Sequence, residues 1–300
     1  MELSPIILFV YNRPWHTRQT VEALRKNELA GESNLFIFSD APRNERDEKE
    51  VSKVRNFIRT IKGFKKVEII ERESNLGLAN SIISGVTDII EKHGRVIVLE
   101  DDLLSSPFFL RYMNEGLEVY KDDEKVLHIA GYMYPIDDTG LPETFFYRAA
   151  SCWGWGTWKR AWRLFEPDIK KLIPMFNKSK IKSFNIDGCY NFWSQVERLS
   201  RGKIDSWAIR WYASVFINNG LCLHPAHSLI DNIGLDGSGV HCGSTWIYRT
   251  SVGMKPVKYF ERTIAENTEA LRRIKQFLAS TRVAFWRRAV RKIKNLTVLR

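Results

Sequence analysis

The sequence has no CxxC pair, no apolar stretch long enough to cross a bilayer, no GxGxxG and no phosphate-loop lysine motif. Its four cysteines, Cys152, Cys189, Cys222 and Cys242, show no paired spacing. With no secretory signal at the N-terminus, they are expected as reduced thiols in a cytoplasmic protein. The first apolar run, Ile6 to Val10, is too short for an export signal or a membrane span and reads as a strand. The missing glycine and lysine motifs disfavour a dehydrogenase and an ordinary ATPase. Net charge is close to zero over most of the chain. Residues 262–300 hold eleven Lys and Arg against two acids, a surplus of nine out of the net +11. A nucleic-acid binder would carry its basic surface on the folded domain, so no nucleic-acid partner is expected.

What the chain does have is aromatic weight and a strand–helix rhythm. Ten tryptophans in 300 residues cluster rather than scatter. Sugar CH faces pack on indole rings, as do cores and interfaces. The first part alternates strand signals at 6–10, 35–38, 67–70 and 96–99 with helical signals at 16–26, 45–61 and 78–92. Such alternation predicts βαβ crossovers and a largely parallel α/β sheet flanked by helices. Ligands of such sheets bind beyond the carboxyl ends of the strands, near a switch point.

Polar segments fall at those ends. Tyr11-Asn12-Arg13 follows the first strand and Ser39-Asp40 the second, while Asn75-Leu76-Gly77-Leu78 turns from the third into a helix. The fourth strand runs directly into Glu100-Asp101-Asp102. Three adjacent acids at a strand end are costly unless a cation or a donor-rich ligand sits there. Oxygen ligands of this kind suit Mg2+ or Mn2+, ions that commonly hold nucleotide phosphates.

After about residue 130 the texture changes. Ser151 to Trp158 alternates indoles with small residues, and its glycines are expected to leave Trp153 and Trp155 free as an acceptor-facing wall. Trp158 and Trp162 suit an aromatic core corner equally well. A helix is expected around 190–199, then Asp205-Ser206-Trp207 leads into another that reaches Asn218. A glycine-rich loop, 232–243, carries Asp236 and His241.

Together these segments resemble nucleotide-sugar glycosyltransferases of the GT-A fold, and within them the bacterial relatives of N-acetylglucosaminyltransferase I, whose metal motif is likewise Glu-Asp-Asp. The resemblance covers roughly residues 5–250. It implies a nucleotide-sugar-binding half over 1–130, an acceptor-binding half of the same domain over 131–261 and a basic helical tail over 262–300. It also implies a metal-dependent, inverting transfer from a nucleoside diphosphate sugar, UDP-linked by preference. The acceptor would be a glycan or lipid-linked molecule, in bacterial surface polysaccharide or lipopolysaccharide synthesis. Residue by residue, Asp102 is expected on the metal, with His241 on the metal or pyrophosphate. Arg13 and Asp40 are expected on the nucleobase and ribose, with Asn75 at the same rim, Asp101 on the ribose or sugar and Glu100 on the donor sugar.

The base that deprotonates the acceptor is assigned to Asp205, with Asp236 and Glu197 as fallbacks. In the eukaryotic enzymes the base immediately precedes the tryptophan, where this chain has Ser206. Asp205 fits an N-cap of the following helix as well. The tail repeats apolar residues at helical spacing (Leu271, Ile274, Leu278) among cations. That pattern suits either an anionic membrane surface at the inner face of the cell membrane or packing on the domain. Two other readings compete. A nucleotidyltransferase would carry an N-terminal phosphate loop, and a non-catalytic sugar-binding module would have no need of three acids at a strand end.

Overall fold

The first strand, β1 (Ile6–Val10), is buried at every residue, the pattern of a central parallel strand covered on both faces. The computed structural model describes residues 2–238 and 245–281. Along the chain come α1 (Pro14–Arg25), β2 (Asn34–Ser39), α2 (Glu45–Ile58), β3 (Lys66–Glu71), α3 (Leu78–His93) and β4 (Arg95–Glu100). There follow β5 (Leu103–Ser105), α4 (Phe109–Val119), β6 (Val126–Ala130), β7 (Thr144–Tyr147) and β8 (Trp155–Trp158). The remainder is α5 (Lys159–Trp162), α6 (Ile169–Leu172), α7 (Lys178–Phe184), α8 (Trp193–Ser200), α9 (Trp207–Ile217), β9 (Leu221–Pro225), β10 (Ile230–Asn232) and a helix α10 over 268–281.

Local signals set the boundaries. Pro14 occupies the first turn of α1, where a missing N–H costs nothing. The Asn44 side chain caps α2, whose first turn carries Glu45, Asp47 and Glu48 against the helix dipole. Gly94, at φ +78°, ends α3 in the left-handed conformation.

The main sheet has the order β3-β2-β1-β4-β8-β6-β9-β7. The first four strands are mutually parallel, while β8 lies antiparallel between β4 and β6. On the far side, β9 is parallel to β6, and β7 closes that edge antiparallel. The expected α/β sheet is therefore present, and it runs unbroken past residue 130. A separate antiparallel ribbon pairs β5 with β10.

The chain steps outward from β1 to β2 to β3, then returns to lay β4 on the other side of β1. This places the switch point between the carboxyl ends of β1 and β4.

A second apolar cluster, separate from the main core, packs Phe145, Tyr147, Phe184 and Tyr212 with Ala270, Leu271, Ile274 and Leu278 of α10. Of the two placements open to the tail, residues 268–281 take the one against the domain. Glu266, just ahead of α10, receives three hydrogen bonds from Arg148, two from the guanidinium and one from the backbone amide, and Asn267 N donates to Phe146 O. The remainder of the tail lies outside the described residues. No helix among the described residues is long and apolar enough to cross a membrane.

Candidate functional site

At the switch point, Glu100 ends β4 and Phe9 pairs with it across the sheet. The turn that follows is pinned by α1. Thr20 Oγ1 donates to Asp101 O at 2.8 Å and accepts the Leu103 amide at 3.1 Å. Asp101 also accepts the Tyr11 backbone amide. Arg13, four residues beyond Phe9, brings Nη1 to 2.9 Å from Asp102 Oδ2 and 3.7 Å from Asp101 Oδ1. Its Nε and Nη2 are buried and have no hydrogen-bond partner among the described residues.

The electrostatics follow from crowding. Burial, reinforced by the charges of Asp102 and Asp101, pushes Glu100 up to about 8. Burial and the neighbouring Asp102 push Asp101 up to about 7. Desolvation works against the Arg13 cation, but Asp101 and Asp102 outweigh it and raise its pKa. Glu100 and Asp101 thus hold protons near neutral pH where an isolated carboxylate would not.

A late segment covers this ion pair. The Ile233 amide donates to Asp102 O at 2.9 Å. A Cβ on Gly234 would fall well inside the radius of Asp102 Oδ2 and 2.8 Å from Arg13 Nη2. Only a glycine lets this backbone lie on the carboxylate. Two residues on, Asp236 Oδ2 sits 3.0 Å from His16 Nε2. Hydrogen bonds from the Ser238 hydroxyl and amide hold Asp236 at about 2. An ionised Asp236 only accepts, so His16 carries its proton on Nε2. Burial, then Arg13, lowers the His16 pKa.

His16 and Gly234 escaped the sequence reading. His16 lies one turn beyond Arg13 on the same helix face, a spacing that could have suggested it. Gly234 offered no local signal. His241 lies outside the described residues, as does Cys242.

The rest of the rim is built from β2 and β3. The Asp40 carboxylate accepts the backbone amides of Ala41, Leu76 and Gly77 at 3.0–3.2 Å. It thereby anchors the turn that starts α3. Asn75 Nδ2 donates to Ala41 O at 2.7 Å and ties the same turn back. Asp47 accepts from the Tyr11 hydroxyl and from Asn12 Nδ2, which fixes the loop after β1.

Trp155 requires a correction. It is 1% exposed, stacks on Trp207 at 5.3 Å and belongs to the main core. The sequence reading took its flanking glycines as a sign of free rings. In the structure Gly156 instead lies in β8, close against Val96 O, and Gly154, at φ +63°, is packed by Ile230. Trp153 stays half-buried, 4.5 Å from the Tyr132 ring. Its neighbour Cys152 is close enough to Glu100 for that carboxylate to raise its pKa, second to burial.

Asp205 has a side chain 60% exposed and accepts from Arg210 Nη1 at 2.8 Å. The N-cap role that competed for it belongs to Ser206, whose side chain accepts the Ile209 amide. The helix it precedes packs Trp207 on Trp155 within the main core. Glu197 lies in α8.

Among the described residues no three His, Cys, Asp or Glu side chains form a ready cage for a metal ion. The carboxylates that converge at this edge are those of the triplet.

No protein-family profile matches the chain, and no curated protein does. Solved structures show partial likeness. The mannosyltransferase PcManGT of Pyrobaculum calidifontis, in complex with GDP-Man and Mn2+, is similar over 72% of this chain and 70% of its own, with 9% identity and a TM-score of 0.41. The 1–349 fragment of S. aureus TarS is similar over 75% of this chain and 59% of its own, with 10% identity and a TM-score of 0.41. A further TarS structure is matched over 40% of this chain and 20% of its own, with 15% identity and a TM-score of 0.30.

Proposed function

We propose that the chain is a GT-A glycosyltransferase. It moves a sugar, with inversion, from a nucleoside diphosphate sugar (UDP-linked by preference) to a glycan or lipid-linked acceptor of bacterial surface polysaccharide or lipopolysaccharide. The observation that carries this reading is the meeting of Arg13 with Glu100-Asp101-Asp102 at the switch point between β1 and β4. An α/β sheet places a phosphate-bearing ligand there.

The orphaned Nε and Nη2 of Arg13 suit the oxygens of a diphosphate, which forms charge-assisted bonds with a guanidinium. The donor set also fits Mn2+ or Mg2+. Such ions take one or two protein carboxylates and complete their shell with phosphate oxygens and water. Asp102 would hold the ion, with His241 a further candidate, and the ion supplies Lewis-acid stabilisation of the departing diphosphate. Glu100, at the end of β4 beside Asp102, faces the donor sugar. Asp101 faces the ribose or sugar, and Asp40 and Asn75 shape the rim where the nucleoside lies. Asp205 is the proposed base, held by Arg210 and open to an incoming acceptor. The basic segment beyond residue 281 is proposed to rest on an anionic membrane surface at the cytoplasmic face.

Calorimetry with UDP, GDP, CDP and TDP, each with and without Mn2+, tests the reading. Metal-dependent binding of at least one diphosphate is expected, and Asp102→Ala should remove the metal dependence while the far-UV spectrum stays unchanged. Absence of binding, or binding indifferent to Mn2+ and to Asp102→Ala, overturns it.

A further inference from the structure

We propose that residues 169–186 form a docking surface for an anionic membrane, a cationic knuckle with an apolar tip. The surface belongs to the folded domain. It goes beyond the donor reading and adds a second contact to the one proposed for the basic segment past residue 281.

The charge of this stretch is one-sided. Between Asp168 and Asp187 it holds five lysines, Lys170, Lys171, Lys178, Lys180 and Lys182, and no acid. All five are exposed. Lys171 lies 3.5 Å from Glu166, and Lys180 donates to Met175 O at 3.1 Å. The side chains of Lys170, Lys178 and Lys182 have no partner among the described residues. The acids at either end are engaged elsewhere. Asp168 accepts the Lys170 amide, Glu166 accepts the Asp168 amide, and Asp187 is held by Arg148 and Lys275, each at 2.9 Å. Three lysine charges are therefore left uncompensated by the fold.

A fixed apolar tip sits among them. Ile173-Pro174-Met175 makes a single 3-10 turn between α6 and α7, closed by the Phe176 amide on Ile173 O at 3.1 Å. Pro174 is exposed and Met175 is 50% exposed. Phe176 turns inward, with its ring 5.6 Å from Phe216, 5.3 Å from Phe184 and 4.9 Å from Trp193. A proline on one side and an anchored ring on the other hold the methionine out. Asn177 caps α7, so Lys178 follows the tip at once. At the boundary between headgroups and acyl chains the thioether is buried, while lysine stems lie along the apolar surface and their ammonium groups reach the phosphates. A nucleic acid would answer the lysines and leave the tip in water, which favours the bilayer as the occupant.

The start of the basic tail lies beside this surface. Lys275 of α10 reaches Asp187, just past the segment, and Cys189 lines one groove with Leu271 and Arg272 of α10. Past α10 the sequence adds seven lysines and arginines and no acid over 282–300. Two contacts with one bilayer hold more tightly than either alone.

Sedimentation of the full chain with phosphatidylglycerol or phosphatidylcholine vesicles tests the surface. Binding to the anionic vesicles alone is expected. A lysine near such a surface is worth about fivefold in partitioning, so the triple variant Lys170→Gln, Lys178→Gln, Lys182→Gln should bind about tenfold more weakly or worse. The same three positions changed to arginine should bind as the wild type does. Met175→Trp should gain quenching by brominated phosphatidylglycerol beyond that of the wild type. Melting temperature and diphosphate calorimetry should be unchanged in every variant. The tail is intact throughout, so a glutamine variant that binds vesicles like the wild type leaves the tail contact standing and refutes this surface. Wild type that stays in solution, or Met175→Trp quenched no more than wild type, refutes it too, as does lysine-dependent retention of single-stranded RNA in place of vesicles. Vesicle binding by a protein that binds no diphosphate upholds the surface and removes the donor reading. The reverse outcome removes the surface alone.

Discussion

Arg13 and Asp102, 89 residues apart in sequence, meet at 2.9 Å where β1 and β4 end side by side. The contact supplies a cation to a turn that carries three acids. Its weight depends on how many of those acids are ionised, and that depends on pH.

Glu100 and Asp101 keep their protons to about 8 and about 7 in the folded chain, whereas the unfolded chain releases them near the ordinary carboxylate values. The folded state therefore binds more protons through that window, and stability falls as pH rises through it. Arg13→Gln removes the compensating cation. Its cost is expected to be larger at pH 9 than at pH 6, by about 1–3 kcal/mol, because the Asp102 pair is lost at both values and the two further charges appear only at the higher. Thermal melts of both proteins at the two pH values check this. An equal loss at pH 6 and pH 9 rules the coupling out.

Gly234 is the second lever on the same pair. Gly234→Ala pushes a methyl group into the Asp102 carboxylate and towards Arg13 Nη2. The ion pair has to open, so Mn2+-dependent diphosphate affinity should fall at least tenfold, about 1.4 kcal/mol. The melting temperature should fall as well, because the turn around Gly234 is buried, so affinity is compared at a temperature where both proteins are folded. Calorimetry alongside a melt separates the two effects, and unchanged affinity would show that the contact has no bearing on binding.

Much of this architecture was legible in the sequence. The β1–β4 half declares itself because its strands are continuous apolar runs and its helices are bounded by Pro14, Asn44 and Gly94. The triplet stands out by charge density alone. The second half shows residues 221–223 as a short strand, inside β9, but hides its other strands. In β8, Trp155-Gly156-Thr157-Trp158 reads as a loop because glycine normally weakens a strand, yet Gly156 is what allows close packing against Val96 O. Both strands of the β5–β10 ribbon are three residues long, too short for any alternation to register. Arg13 was found as a candidate, but its partner was not, since a contact over 89 residues has no local signature.

A buried histidine sets an acid limit on the fold. His128 accepts the Trp211 indole N–H on Nδ1 at 3.0 Å and faces Ser151 O with Nε2 at 2.9 Å. An indole nitrogen can only donate, so Nδ1 carries no proton and the ring is neutral. Burial lowers its pKa to about 3. The neutral ring's contribution is complete above pH 6.5 and is lost as pH falls from there towards 3, where the unfolded chain gains a proton that the folded chain refuses. Between pH 6.5 and pH 4 the loss is about 3 kcal/mol. Urea titrations of the wild type and His128→Asn at pH 4, 5 and 7 measure it as the difference between the two profiles. His224, which burial lowers to about 4, and the raised Glu100 and Asp101 titrate over the same range in both proteins, and the variant is less stable throughout. A variant whose stability depends on pH between 4 and 7 as steeply as the wild type's would contradict the assignment.

Trp153 and Trp155 are two residues apart, and the structure assigns them opposite roles. Trp155 is sealed between Trp207, Trp162, Trp211 and His128, with ring centroids 5.3–6.1 Å away. Removing it opens a void that these rings cannot refill without leaving their own contacts. Trp155→Ala should therefore cost about 3–5 kcal/mol, read from urea titration at pH 7. Diphosphate affinity should be unchanged in whatever fraction stays folded. Trp153 sits half open above Tyr132, so Trp153→Ala should cost about 1–2 kcal/mol, nearer the typical loss for a partly exposed side chain. Its larger effect should appear in retention on an array of bacterial surface oligosaccharides, the acceptor class proposed above. The two variants thus exchange rank between the stability and glycan measurements. A common rank in both would mean that the indoles form a single core corner, and the open wall would not exist.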